Sequence, residues 1–226
     1  MVSFKSGTKV FIKMTRGLQT MKQVTAHVKY VGFRSKEANE KGFFSRDEDK
    51  ADFEAFLERI EKNSALQHPL TIKARKMIFS LRESDYEAYK RSGKDFKDLV
   101  RNTLAEYERK HGVKLDWIAN IHAAEGHPHC HVVIKGVSDN RGADGRFKRI
   151  VFKKEDLQEL KETFHKEFER DAIYHLHERL DVDRTLGDMS KVFESVTKDM
   201  TRENERLQRE AEMKRQRAAR NKGRDR

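Results

Sequence analysis

Several features that define other classes of protein are scarce in this sequence of 226 residues. A single cysteine, Cys130, excludes a disulfide framework and the cysteine-rich zinc fingers. Only two prolines occur, so we expect no long disordered linkers. Apolar runs are too short to span a membrane, and we find no hydrophobic signal-peptide region. We therefore expect a soluble, cytoplasmic protein.

Positive charge is what the sequence has in excess. The net charge is +11 and the pI about 9.6, a balance that favours a polyanionic partner. On charge alone, a basic protein that is merely soluble stays open. Residues 201–226 hold ten Lys/Arg and five Asp/Glu. We predict a main domain over residues 1–185 and a charged, basic helical tail over 186–226, which contacts nucleic acid, contacts a missing downstream region or has no specific role.

Histidines cluster in one stretch of the chain. An apolar run, Leu115–Ile121, precedes it and another, Val132–Ile134, follows, with the turn-forming sequence Ala-Glu-Gly-His-Pro between them. This pattern predicts an antiparallel hairpin. Strand side chains alternate between faces, so pairing His122 with His129 puts both rings and that of His131 on one face. The opposite face then carries a core: Trp117, Ala119, Ile121, Cys130, Val132 and Ile134.

Three imidazoles that converge from a rigid sheet are a suitable ligand set for a divalent metal, with positions left for substrate. We therefore predict a metal site at His122, His129 and His131. The alternative is a set of surface histidines on an edge hairpin. His127 precedes a proline in the turn, and we expect it at the rim of the site rather than as a ligand.

One tyrosine near the N-terminus is placed unlike the others. A helix is predicted from about Leu18 to Val31, with its apolar stripe made by every third or fourth residue. Tyr30 lies about 140° from the middle of that stripe at 100° per residue, beside His27 one turn earlier. An isolated tyrosine in such a place is most often a packing or surface residue.

The remaining pattern predicts an α+β fold in which helices pack on a central antiparallel sheet. Further strands are predicted at residues 8–14, 72–82 and 147–152, with a loop at Asn140–Gly145. Capping-box spacing at Ser45 and at Ser84 predicts two helix starts. Further helices are predicted over Phe96–Tyr107, ending at Gly112, and over about Glu155–Leu180.

A metal site, a helical tyrosine and a basic surface suit attack on a phosphodiester. A tyrosine hydroxyl has a pKa of about 10 and is a poor nucleophile at neutral pH. It becomes useful when a metal polarises the phosphate and a nearby base takes the phenolic proton. The resulting phosphotyrosine stores the bond energy, so a later DNA hydroxyl can reverse the step.

The histidine stretch resembles the third motif of the Mob-type conjugative relaxases, which belong to the HUH single-strand DNA endonucleases. There, a leading histidine is followed seven and nine residues later by a His-x-His pair, as at His122, His129 and His131. Val28–Arg34 resembles the segment that carries the nucleophile, and Met77–Leu81 resembles the inner strand. The pattern is most similar to MobL-type relaxases and covers residues 8–180.

The sequence departs from the family pattern at one position. Many relaxases have an acidic residue two positions after the first histidine, where this chain has Ala124. Glu125 stands one residue later, and we expect it to act as the base for Tyr30, as a metal contact or as a partner of a ligand. Some Mob-type relatives use a histidine as nucleophile, which keeps His27 as a rival to Tyr30.

The resemblance implies the HUH endonuclease fold and a DNA relaxase that uses Tyr30 and a divalent metal. Mn²⁺ or Mg²⁺ would be the metal, and the imidazoles also suit Zn²⁺, Ni²⁺ or Co²⁺. The enzyme would nick one strand at an origin of transfer, stay attached to the 5′ end and later rejoin the strand in the recipient. Implied partners are origin-of-transfer DNA, relaxosome proteins and a type IV secretion coupling protein. Candidate DNA contacts are Arg34, Arg75, Lys76, Arg82, Arg141, Arg146 and Lys148.

Three alternatives remain at this point. A rolling-circle replication initiator would use the same chemistry on a different DNA. A non-catalytic DNA-binding protein would hold the metal for structure only. A metallohydrolase that activates water would cleave DNA without forming a covalent protein–DNA adduct.

Overall fold

The computed structural model describes residues 10–33, 42–91, 93–123 and 128–171, and beyond them 193–198, 201–202, 205–206 and 209. The chain divides into two compact units, Met1–Asp181 and Val182–Arg226. The predicted boundary at residue 185 lies outside the described residues and stays a prediction. In the second unit, helical residues 193–198 bury Phe193 and Val196. Among the described helices, none combines the length and apolar character needed to cross a membrane.

The first unit has the predicted α+β composition. Its strands are β1 (Val10–Leu18), β2 (Phe44–Ser45), β3 (Ala74–Leu81), β4 (Trp117–His122), β5 (His129–Lys135), β6 (Val137–Arg141) and β7 (Phe147–Arg149). Its helices are α1 (Met21–Phe33), α2 (Phe53–Glu61), α3 (Glu83–Arg91), α4 (Phe96–His111) and α5 (Lys154–Asp171). Five strands form one antiparallel sheet in the order β1-β3-β5-β4-β2, and β6 and β7 form a separate two-stranded sheet.

Helices cover both faces of the large sheet because both faces are largely apolar. On one face, alternate residues such as Met77, Phe79 and Val132 form a core with α4 and α5. On the other face, Ile118 and Val133 pack with residues of α1 and α2, including Val28. The histidine face of the sheet is therefore partly a second core, and α1 lies across it.

Helix α4 shows how local sequence signals set an element. Asp95 caps its first turn by accepting a hydrogen bond from the backbone N–H of Lys97 at 2.9 Å. Gly112 ends the helix in the left-handed conformation at φ 59°, which glycine adopts without steric cost. The stop predicted at Gly112 is confirmed. The buried residues are also those predicted from the periodicity: Phe96, Leu99, Val100, Thr103, Leu104 and Tyr107.

One predicted helix start is wrong, and the short helix predicted at Ser84 is confirmed with a slightly shifted start. Ser45 lies in β2, and its backbone N–H donates to the Glu48 carbonyl in a turn at 2.8 Å. The cap of α2 is instead Asp52, which accepts hydrogen bonds from two backbone N–H groups of the first turn. Ser84 lies inside α3, which begins one residue earlier at Glu83. A capping box is a short local pattern, so the same spacing also occurs in turns that no helix follows.

Strand boundaries also differ from the prediction. β1 runs to Leu18, so α1 begins at Met21 rather than at Leu18. The fifth strand of the large sheet is the two-residue β2, whereas the predicted strand at residues 147–152 forms β7 over Phe147–Arg149 and pairs with β6. Asn140 and Arg141, predicted in a loop, belong to β6. The predicted helix from about Glu155 is α5, described as far as Asp171.

A buried charge cluster fastens α2 to the sheet. Asp116, which precedes β4, accepts two hydrogen bonds from Arg59 at 2.9 Å and one from the buried ammonium of Lys135 at 3.0 Å. Burial raises the pKa of the Asp116 carboxyl, but the two cations outweigh burial and the net pKa is lowered. The carboxylate is therefore ionised when the cluster forms.

We predict that Asp116→Asn lowers the free energy of unfolding by about 3 kcal/mol, because the buried Lys135 ammonium loses a charged partner. Urea denaturation at pH 7 measures this change. The matched control is Asp49→Asn, since Asp49 pairs with Arg101 at the surface and should matter little. Equal stability losses in the two variants would contradict the assignment.

Candidate metal centre

The hairpin register brings His122, His129 and His131 to one face of the sheet. His122 pairs directly with His129, as predicted, and Asn120 pairs with His131. The ring centroids form a nearly equilateral triangle, with separations of 5.3 Å, 5.0 Å and 4.9 Å. His122 and His131 are buried, while His129 is half-buried and forms the more open corner.

The three side chains fit a divalent metal. One ring nitrogen from each lies within 4.8 Å of the others, and the donors are all imidazoles. A metal bound at about 2.1 Å by three such nitrogens places them roughly 3.0–3.4 Å apart. Small rotations about the side-chain torsions can bring the three nitrogens to this separation. Imidazole donors suit Mn²⁺, Zn²⁺, Ni²⁺ or Co²⁺ better than Mg²⁺, which prefers oxygen.

His122 also connects the site to α1. Its Nε2 lies 2.8 Å from the backbone carbonyl oxygen of Val31 and donates to it, since a carbonyl can only accept. This contact fixes the tautomer and leaves Nδ1 with the lone pair that a metal requires. The C-terminal turn of α1, which includes Tyr30, is therefore attached directly to a candidate metal ligand.

Close packing holds the end of α1 in place. A Cβ atom at Gly32 would lie 2.5 Å from the ring of Phe43, so only glycine allows this approach. The neighbouring Gly42 carbonyl accepts a hydrogen bond from the amide of Asn120, which is buried beside His131. The sequence offered no signal for this Asn120 contact, because the segment it holds has no regular pattern.

Tyr30 and His27 occupy consecutive turns of α1. Their rings are nearly parallel, at 22°, with centroids 6.4 Å apart. Tyr30 is half-buried at the margin of the second core, and His27 is buried at 8% exposure. Burial, with a smaller contribution from the nearby Lys76 ammonium, lowers the pKa of His27 to about 3. His27 is therefore a neutral imidazole at physiological pH.

Lys76 lies on the same sheet face as the histidines. It is at most 5% exposed, and it pairs with Thr15 on one side and Val133 on the other. Burial lowers the pKa of Lys76 to about 8. Arg75 has the opposite orientation, and its Nε donates to the Ile150 carbonyl at 3.2 Å. Arg82 follows β3 at the end where Ser80 pairs with His129.

The other predicted DNA contacts lie away from the histidines. Arg141 and Arg146 line a cleft of about 500 Å³ together with Arg149, which sequence reasoning missed. Lys148 instead donates to the His111 carbonyl at 3.1 Å. The cleft includes Val137 at the start of β6, whereas the histidines lie on β4 and β5 of the other sheet. Arg34, Glu125 and His127 lie outside the described residues.

A second group of potential ligands lies between α4 and α5. His111, Asp156 and Glu159 have side-chain ligand atoms within 4.8 Å of one another. Glu159 pairs with Lys110 at 3.2 Å and with His111 at 3.2 Å. These contacts describe an ion-pair cluster that links two helices, and this group serves below as a control for the histidine site.

Known proteins similar to this chain occur among solved structures. No protein-family model and no curated protein matches the sequence. The chain is similar to metal-bound conjugative relaxase TrwC in complex with oriT DNA, with a TM-score of 0.48 and 13% identity over 71% of this chain and 69% of that one. A structure of TrwC with mutant oriT DNA gives a TM-score of 0.48 and 14% identity over 84% and 81%. At this identity no residue role is transferred, and the resemblance to MobL-type members stays a prediction.

We predict that His129→Ala lowers affinity for Mn²⁺ by about 100-fold or more, because one of three ligands is lost. Isothermal titration calorimetry measures the affinity and the stoichiometry. His111→Ala is the matched control. It disrupts the other candidate group and should leave Mn²⁺ affinity at the histidine site unchanged. Loss of the tight site in His111→Ala, with normal binding in His129→Ala, would show that the metal binds elsewhere.

The buried state of His27 predicts a dependence of stability on pH. The unfolded chain takes up a proton on His27 near pH 6.5, whereas the folded protein resists it down to about pH 3. The free energy of unfolding should therefore fall as the pH drops through this window, by up to about 1.4 kcal/mol per pH unit. In EDTA, His27→Leu should show a shallower fall than the wild type between pH 6.5 and 4. Identical slopes would mean that His27 protonates in the folded state.

Proposed function

We propose that this chain is a metal-dependent DNA relaxase that nicks one strand by transesterification. The observation that carries the proposal is the convergence of His122, His129 and His131 on one sheet face, with His122 bonded to the helix that presents Tyr30. This arrangement supplies a metal site and a nucleophile on adjoining elements. The net charge of +11 suits a nucleic acid as substrate.

The roles of the side chains follow from their chemistry. His122, His129 and His131 would hold the metal, and the bound metal would offset negative charge on the phosphate oxygens. The Tyr30 oxygen would attack the phosphorus atom and form a new P–O bond. The bond to the 3′ oxygen would break, that oxygen would take a proton, and the 5′ phosphate would stay on Tyr30. The reverse reaction by a 3′ hydroxyl would reseal the strand.

Proton transfer requires a base for the Tyr30 hydroxyl. Glu125 remains our proposed base, since it follows His122 closely in the sequence and carries a carboxylate. His27 is a weaker candidate for this role, because an imidazole with its pKa lowered to about 3 accepts protons poorly. The origin of transfer as the target, the relaxosome proteins and the secretion coupling protein are proposed from the sequence resemblance.

His27 is the second candidate for the nucleophile. Its ring is buried on the sheet-facing side of α1 and is uncharged, and a neutral imidazole nitrogen can attack phosphorus. Attack by His27 would give a phosphoramidate, which acid hydrolyses much faster than a phosphotyrosine. The two candidates therefore give adducts that mild acid distinguishes.

We predict that Tyr30→Phe abolishes the covalent adduct and lowers nicking by roughly 10³-fold or more, because only the nucleophilic oxygen is removed. Metal affinity and binding of single-stranded DNA should be unchanged. Denaturing electrophoresis of protein mixed with labelled single-stranded DNA and Mn²⁺ measures the adduct. Tyr86→Phe, which alters a tyrosine on α3, is the matched control and should retain the adduct.

Four results would redirect this proposal. An acid-labile adduct that persists in Tyr30→Phe would assign the nucleophile to His27. Cleavage with no adduct in the wild type would favour a metallohydrolase that activates water. DNA binding with neither cleavage nor adduct would favour a non-catalytic protein, while adducts at a replication origin would indicate an initiator of the same chemistry.

A further inference from the structure

Two lysines of the described sheet are buried, and they differ in how their charges are compensated. Lys135 is 4% exposed, and its ammonium contacts the carboxylates of Asp116 and Asp139. Lys76 is 5% exposed, and burial alone shifts its pKa, so no carboxylate among the described residues compensates its charge. An unpaired buried cation is costly, so a fold retains it only where something else compensates the charge.

The described residues around Lys76 are polar, and none of them supplies a negative charge. The hydroxyl of its cross-strand partner Thr15 is buried without a hydrogen-bond partner in the described part of the chain. His27 lies close enough for the Lys76 charge to act on its imidazole, and it is neutral. Burial is the cause of the lowered pKa of Lys76, about 8, so the ammonium form still predominates at pH 7. The pocket therefore suits an anion, and no described residue supplies one.

The position of Lys76 relates this pocket to the metal centre. Ile78, two residues further along β3, pairs with His131, so Lys76 is a diagonal neighbour of His131 on the same face. Diagonal neighbours in a sheet have Cα atoms about 7–8 Å apart, within reach of an extended lysine side chain. One anion could therefore contact the Lys76 ammonium and the metal centre together.

We propose that Lys76 binds a non-bridging phosphate oxygen of the DNA strand held at the histidine centre. This inference rests on the proposed function for the identity of the anion, and it adds Lys76 to the groups that touch the reacting phosphate. The ammonium would offset the negative charge that grows on the phosphoryl oxygens during attack. It would do so on the histidine face of the sheet, from β3, which flanks β5 on the side away from β4. It would also orient the strand for attack from α1.

Lys76→Met tests the proposal, because methionine keeps an unbranched apolar side chain and removes the charge. The variant should fold with a Tm equal to or above that of the wild type, since an unpaired buried charge is lost. Lys135→Met is the matched control and should lower the Tm, since it removes the ammonium that contacts both Asp116 and Asp139. A fall in Tm for Lys76→Met comparable to that for Lys135→Met would assign Lys76 a structural role and overturn the proposal.

Anion binding is measured separately from catalysis. In EDTA, inorganic phosphate and a mixed-sequence 12-nucleotide single strand should raise the Tm of the wild type and leave Lys76→Met nearly unchanged. Affinity for the oligonucleotide, from fluorescence anisotropy, should fall about tenfold in Lys76→Met. Equal responses to both probes in the two proteins, or no response in the wild type, would overturn the proposal.

The catalytic readout separates this inference from the proposed function. If the wild type nicks DNA, Lys76→Met should lower the rate of adduct formation about 100-fold or more while Mn²⁺ affinity stays within about threefold. An unchanged rate would overturn the proposal. If the wild type forms no adduct, the relaxase assignment fails, but a phosphate response that requires Lys76 would still establish the anion site.

Discussion

Antiparallel pairing of β4 with β5 is the constraint on which the candidate site depends. The register that pairs His122 with His129 places His131 on the same face, and it places Cys130 and Val132 in the core behind the sheet. A slip of one residue would turn the β5 histidines into that core and Val132 out of it. The apolar face therefore holds the three candidate ligands in position, and packing of α4 and α5 contributes indirectly to the geometry of the imidazoles.

The histidine face brings together three kinds of polar group that are usually hydrated separately at a protein surface. It holds the three clustered histidines, the neutral imidazole of His27, a buried ammonium at Lys76 and the ring of Tyr30 at the margin of a second core. The buried carboxylate of Asp116 is already paired with two cations, Arg59 and Lys135. Such a surface has a net preference for an anion, which agrees with a phosphodiester as the ligand.

Local patterns in the sequence predicted the parts of the structure that depend on strict periodicity. The hairpin register followed from alternation, and the buried stripe and Gly112 stop of α4 followed from helical spacing. Patterns failed where long-range contacts decide: Ser45 joins β2 because β4 offers it a pairing edge. The sequence placed Lys76 among seven candidate DNA contacts but could not single it out, because its burial arises only when β1, β3 and α1 come together.

The central claim is that metal-supported transesterification joins this chain to one defined DNA strand. The most direct measurement is incubation with a random pool of single-stranded DNA and Mn²⁺, followed by sequencing of the DNA that stays linked to denatured protein. The account predicts linked molecules whose 5′ ends converge on one sequence, and their loss when EDTA is added. Recovery of no linked DNA with Mn²⁺, Mg²⁺ or Zn²⁺, or linkage that persists in EDTA, would contradict it.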